Sequence, residues 1–133
     1  MPHLFALRVY YEDTDLAGIV YYANYLKFIE RARSEWVRSL GIDQGQLRAT
    51  QGLGFAVRRI EADFLRPARF DDALAVETRL RAWTGARVVL EQVVARGSER
   101  LFVAQVTLVC LTLAGQAVRL PDVLRRALVE PSA

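Results

Sequence analysis

Tyr11-Glu12-Asp13-Thr14-Asp15-Leu16-Ala17-Gly18-Ile19-Val20-Tyr21-Tyr22-Ala23-Asn24-Tyr25 joins two segments of different periodicity. Before it, Phe5, Leu7, Val9 and Tyr11 alternate with Ala6, Arg8, Tyr10 and Glu12, the two-residue period of a half-buried strand. After it, Tyr25, Ile29, Ala32, Trp36 and Leu40 fall at helical spacing, supported by Phe28 and Val37. Lys27, Glu30, Arg31, Arg33, Glu35 and Arg38 fill much of the remaining helix surface. The pattern predicts a helix over about residues 23–40, with Asn24 capping its start and Gly41 ending it in the left-handed conformation. A strand-to-helix turn of this kind can aim a carboxylate and a helix N-terminus at one point. The carboxylate supplies a nucleophile or base, and the helix amides attract developing negative charge.

The rest of the chain reads mostly as strand. Residues 43–54 form a loop with room for a short turn of helix, and residues 55–64 a strand that breaks at Arg66-Pro67 and the acidic pair Asp71-Asp72. Leu74, Val76, Thr78, Leu80 and Ala82 alternate with Ala75, Glu77, Arg79, Arg81 and Trp83. Gly85 makes a turn, residues 88–95 form a strand, and Arg96-Gly97-Ser98 a hairpin turn. A long strand over 101–113 closes the sheet; a short helix over 121–128 follows, and the last five residues, 129–133, are expected to fray. One long helix with five antiparallel strands is an α+β domain, here a single one spanning residues 1–133. In the last strand Leu101, Val103, Val109, Leu111 and Leu113 share one face, and Phe102, Ala104, Val106, Leu108 and Cys110 the other. One helix covers one face of a sheet, so apolar character on both predicts a homo-oligomer.

Composition narrows the chemistry. A chain of 133 residues with 53% hydrophobic and 25% charged residues fits one well-cored domain. No apolar run approaches the roughly 18 residues of a membrane span, so no stable membrane insertion is expected. Arg8, Glu12, Asp13 and Asp15 interrupt any signal-peptide core in the first twenty residues. Cys110, the single cysteine, has no partner for an intrachain disulfide and suits a cytoplasmic setting. The net charge is +3 and seventeen of the eighteen basic residues are arginine, but they are scattered. No basic stripe with interleaved aromatics points to nucleic acid. The one histidine, His3, stands at an end expected to be mobile, which argues against Ser-His-Asp and Cys-His catalysis. One histidine and one cysteine argue equally against a metal centre, and no dinucleotide or phosphate-loop fingerprint implies a cofactor.

An enzyme built on these residues works with carboxylates, backbone dipoles, hydroxyls or arginines. Glu12, Asp13 and Asp15 are its acids. By spacing alone they equally serve the turn, since aspartates bond their own backbone two residues on.

The runs Arg8–Asp15 and Gly18–Tyr25, continued by Phe28-Ile29-Glu30-Arg31-Ala32-Arg33 and Trp36, resemble the active-site segment of hotdog-fold acyl-CoA thioesterases. The similarity is to the branch containing 4-hydroxybenzoyl-CoA thioesterase and the thioesterases associated with the Tol-Pal system. Arg66-Pro67-Ala68 with Phe70-Asp71-Asp72 resembles a second signature of that family. The resemblance runs from Leu7 to Leu113. It implies a long central helix wrapped by a five-stranded antiparallel sheet, dimers joined sheet edge to sheet edge, and association of dimers into a homotetramer. It implies hydrolysis of an acyl-CoA thioester, with Asp15 as the catalytic carboxylate and the backbone N–H of Tyr22 polarising the thioester carbonyl. Substrate contacts fall to Gly18 and Ala23, and from the partner subunit to Phe55, Ala56 and Val57. Arg87 is the implied contact for the coenzyme A phosphates, with Arg58 and Arg59 weaker choices. Many Tol-Pal-type relatives carry histidine where this chain has Tyr22; a backbone role there is independent of the side chain. Glu30 either lines the pocket or forms a helix-surface pair with a neighbouring arginine. The other readings are an acyl-carrier-protein thioesterase and a non-catalytic acyl-thioester-binding or envelope-assembly protein.

Overall fold

The computed structural model describes residues 2–129. Strand β1 (His3–Arg8) leads through a 3₁₀ turn at Tyr11–Asp13 into helix α1 (Asn24–Ser39), which is followed by α2 (Gln44–Gln51). Strands β2 (Leu53–Phe64), β3 (Ala73–Trp83), β4 (Arg87–Arg96) and β5 (Glu99–Thr112) follow, then the two-residue β6 (Ala117–Val118) and α3 (Asp122–Val129). The strands form one antiparallel sheet in the order β1-β3-β4-β5-β2, with β6 beside the far end of β5. This is the hotdog arrangement, with one strand more than the pattern predicts. Ala117–Val118 is too short to carry a periodic signal, and it pairs Cys110 and Leu111 just beyond the point where β4 begins.

Helix α1 lies chiefly over β1, β3 and β4 and buries Tyr25, Phe28, Ile29, Ala32, Trp36 and Val37 against them. On β5 the even-numbered residues from Phe102 to Cys110 face this core. Opposite them on β2 stand Phe55 and Val57, then Ile60, Ala62 and Phe64. The switch from odd to even numbers is a β-bulge between Val57 and Arg59, which absorbs Arg58. If Arg58 took a regular place in the ladder, the second half of β2 would present its charges to the helix. The other sheet face mixes Val103 and Val109 with Glu61, Glu91 and Gln105, a more polar surface than β5 alone suggests.

Gly41 takes φ +83° just past α1, as expected, and its N–H donates to Arg38 O at 3.0 Å. Three expectations change. His3 begins β1 opposite Thr78 rather than trailing as a mobile end, because the ladder with β3 already satisfies its backbone. Asn24 does not cap α1, and the start of the helix is built differently, as described below. Val129 closes α3 instead of fraying, while 130–133 lie outside the described residues. Cys110 is buried in the core, and desolvation pushes its thiol up despite an opposing hydrogen bond with the Gly54 backbone.

Candidate active site

The loop before α1 is a small hairpin closed by its own backbone. Tyr21 N–H donates to Asp13 O at 2.9 Å, Asp15 N–H to Ile19 O at 2.9 Å, and Thr14 pairs Val20. The turn between them has Gly18 at φ +78°, a left-handed position that favours glycine. Its N–H donates to Asp15 O at 2.9 Å.

Within this hairpin the three acids separate. Asp13 is committed to structure. Its Oδ2 accepts Tyr10 N–H at 2.8 Å, and its carbonyl accepts both Tyr21 N–H and Asn24 Nδ2. Glu12 points to solvent. Asp15 is exposed, with Oδ1 held by Ala17 N–H at 2.9 Å and Oδ2 without a partner among the described residues. One oxygen therefore fixes the carboxylate while the other stays available.

The helix start supplies donors in a way the sequence does not reveal. Asn24, Tyr25 and Leu26 N–H groups donate back to the carbonyls of Tyr21, Tyr22 and Ala23, three residues earlier. These tightened bonds satisfy the first amides of the helix. The orphan donors move one step outward to Tyr22 and Ala23, whose N–H groups have no acceptor among the described residues. The exposed Tyr22 ring lies 5.0 Å from Tyr21 and 6.1 Å from Phe64, centroid to centroid.

The second sequence signature turns out to be the clamp on this loop. Val20 N–H donates to Ala68 O at 2.8 Å, and Ile19 bridges Arg69. Ala68 N–H donates to Tyr25 Oη at 3.0 Å; burial raises that phenol while this bond opposes the shift. Asp72 Oδ2 accepts Arg69 N–H at 2.8 Å and Arg96 Nη1 at 2.6 Å, and Arg96 also pairs Glu99. Asp71, at φ +70°, turns the chain so that its N–H reaches Val9 O. Ala68, Arg69, Asp71 and Asp72 thus hold the hairpin against the end of β1 and the start of α1.

Asp15, Gly18, Tyr22 and Ala23 are brought together in this hairpin. Phe55, Ala56 and Val57 are not. They lie near the start of β2, while Phe64 at its other end meets Tyr22 edge-on; eight residues at about 3.3 Å each put some 26 Å between the two ends. Phe55, Ala56 and Val57 instead line a cleft of about 110 Å³ with Glu30, Arg33 and Leu108. Arg87 stands opposite Val109, which is itself opposite Ala56, so it shares their end of the sheet but lies on the face away from α1. Arg59 is paired with Glu61.

The residues that sequence reasoning passed over are buried polar ones. Arg33 Nη1 donates to Gln92 Oε1 at 3.0 Å, and Gln92 Nε2 donates to Ile29 O and Thr78 Oγ1. Burial pushes the Arg33 guanidinium down and Glu30 pulls it back up, yet the two make no ion pair. Glu30 therefore lines the cleft rather than serving a helix-surface bridge, a role taken on α1 by Glu35 and Arg38. Only Gln92, a polar residue at an inward position of β4, offered a signal in the sequence.

Residues 9–128 match the family model described as the thioesterase-like superfamily. The acyl-CoA thioesterase YbgC of Haemophilus influenzae is 43% identical over 109 residues, 82% of this chain and 80% of that protein. The acyl-CoA thioester hydrolase YbgC of Escherichia coli O157:H7 is 39% identical over 106 residues, 79% of this chain and 78% of that one. A probable thioesterase from Bartonella henselae has the same fold, with a TM-score of 0.86 and 40% identity over 91% of this chain and 100% of that one.

Proposed function

This chain belongs to the thioesterase-like superfamily, and from that membership and the Asp15 hairpin we propose that it is an enzyme hydrolysing acyl-CoA thioesters to the free acid and coenzyme A. The observation that carries the reading is the juxtaposition within one short hairpin of a fixed carboxylate with a free oxygen and two unpaired amide donors.

Asp15 acts at the thioester carbon. It attacks that carbon to give a mixed anhydride that water then opens, or it takes the proton of a water that attacks directly. Either way the C–S bond breaks, the thiolate leaves, and the hydroxyl of water ends on the acid. Coenzyme A thiolate is a good leaving group, so the absence of a nearby histidine is no obstacle. The Tyr22 N–H, with Ala23 behind it and the α1 dipole in line, receives the developing oxyanion; such a donor is worth about 2.7–4 kcal/mol. Gly18 holds the turn at a φ of +78° that a side chain would strain, although a Cβ there would meet nothing within 4 Å.

The acyl site is completed by a second subunit. An antiparallel pairing of two β2 edges about their middle brings residues 55–57 of the partner next to the Phe64 end, and so next to Tyr22. Phe55, Ala56 and Val57 then form a wall of the partner's site, and dimers associate into a homotetramer. No helix among the described residues is long and apolar enough to cross a membrane, and the single free thiol fits a cytoplasmic enzyme.

Asp15→Asn tests the chemistry. Asn keeps the acceptor that Ala17 N–H needs, so the variant should melt with the wild type while turnover of an acyl-CoA panel, read by thiol release, falls at least about 100-fold. Near-normal turnover in that variant would remove Asp15 from the mechanism.

A further inference from the structure

Residues 65–72 connect β2 to β3 without forming a helix or strand, so bonds to other segments decide where they lie. At the start of the connection Leu65 and Arg66 N–H groups both donate to Leu101 O, at 2.8 and 3.1 Å. At its end Asp72 N–H donates to Arg69 O at 3.1 Å, and the Asp72 carboxylate accepts Arg69 N–H at 2.8 Å. Between these anchors stand Pro67, which has no N–H, and Ala68, which carries the contacts to the hairpin and to Tyr25. One side chain from elsewhere grips the connection on both sides of Ala68. Arg96, the last residue of β4, donates from Nη1 to Asp72 Oδ2 at 2.6 Å and to Pro67 O at 3.4 Å. Its Nη2 and Nε both reach Oε1 of Glu99, the first residue of β5. A planar guanidinium with its donors in a fixed fork can span two carboxylates in this way. Arg66 Nε stands 3.5 Å from the other Glu99 oxygen and joins the same cluster. The Asp72 side chain is 22% exposed, so solvent screens this link less than an outward pair such as Arg59 with Glu61.

The cluster reaches the chemistry through Ala68. Its carbonyl holds Val20 N–H and its N–H is held by Tyr25 Oη, so one residue fixes both the returning arm of the hairpin and the first turn of α1. Asp15 lies on the other arm, bonded to Ile19, and Tyr22 lies between Val20 and the helix. The separation of the free Asp15 oxygen from the Tyr22 amide therefore depends on where Ala68 sits. We infer that Arg96 is a positioning residue for hydrolysis: without meeting substrate, it holds Pro67 and Asp72 so that Ala68 keeps Asp15 and the Tyr22 amide in register. The inference rests on the thioesterase reading of the hairpin. A misplacement of about 1 Å caused far from the reacting atoms can lower a rate by about 100-fold. An ionic brace one hydrogen bond removed from the hairpin is thus a kinetic element as well as a stabilising one.

Steady-state kinetics of the full-length protein on acyl-CoA test this. Arg96→Met keeps an unbranched side chain and removes its donors. Well below the melting point, with folding checked by circular dichroism, kcat should fall about 10- to 100-fold while KM stays within about twofold. Arg96→Lys, which keeps the charge but not the fork, should recover part of that loss. Combining Arg96→Met with Asp72→Asn should lower kcat little further, because both changes open the same link. Amide hydrogen exchange supplies a readout free of catalysis: Val20 should exchange at least about tenfold faster in Arg96→Met, with the amides of β3 unchanged. A kcat within about twofold of wild type, a loss carried by KM alone, or unchanged exchange at Val20 would overturn the inference. A wild type that cleaves no acyl-CoA would instead count against the thioesterase reading, and the exchange data would then decide the brace by themselves.

Discussion

Asp13 and Asp15 stand two residues apart and carry the same carboxyl group, yet the backbone around them gives them different partners. Asp13 accepts from Tyr10 and Tyr21 amides and from Asn24, while Asp15 spends one oxygen on Ala17 and keeps the other. Spacing could not separate them, because both fit an aspartate-rich turn. The hairpin register does so. Asp72 shows the same dependence on surroundings. Burial alone would raise its pKa, but the Arg69 N–H and the Arg96 guanidinium outweigh that and hold the carboxyl below the usual range. With the folded value below the unfolded one, the resulting stability is present above the unfolded pKa and is lost as pH falls through the folded one. Asp72→Asn should cost about 1–3 kcal/mol near pH 7. Denaturant melts should show that difference shrinking as pH falls toward about 3; a gap that widens with acid would contradict the sign.

At the scale of elements, the periodicities of α1 and the strands were legible, since each has one face on a continuous core. The bulge in β2 was not legible, because alternation in residues 55–64 is broken by Arg58-Arg59 and either phase could be continued across the break. Cross-strand partners on β5 set the phase: Val57 meets Leu108 and Ile60 meets Val106. Deleting Arg58 alone should leave a regular ladder, whereas deleting Arg58 and Arg59 together should force Ile60, Ala62 and Phe64 outward or unpair that half of the strand. At about 1.5–3 kcal/mol per large apolar side chain, the loss should exceed about 3 kcal/mol in a urea titration. A double deletion that melts like wild type would mean that the inward residues of this half do not set its register. The start of α1 is a similar case. Asn24 has the composition of a cap, but its side chain is drawn to the Asp13 carbonyl, and the helix closes on tightened backbone bonds instead.

At the scale of the whole molecule, residues 55–57 and the Asp15 hairpin lie toward opposite ends of β2, and the proposed site joins them across two subunits. Light scattering after size exclusion should therefore give a dimer or a dimer of dimers. Mixing offers a sharper check. Asp15→Asn and Val57→Trp should each be inactive alone, the second by filling the shared wall. Dissociated and reassociated together, random pairing restores about a quarter of the sites, because each mixed dimer holds one intact site. No recovery despite proven subunit exchange would mean that Val57 does not complete the Asp15 site of the other subunit.

The sequence by itself determined the strand-turn-helix succession, the α+β class, the membership signatures and the shortlist of acids, because these depend on periodicity and on local residue chemistry. Only the tertiary structure decided which acid keeps a free oxygen and which amides lose their acceptors. It alone gave the second signature its role as a clamp, and brought Arg96 to Asp72 from 24 residues away in sequence. Those outcomes follow from hydrogen bonds and registers between segments distant in the chain, which leave no periodic trace within any one of them.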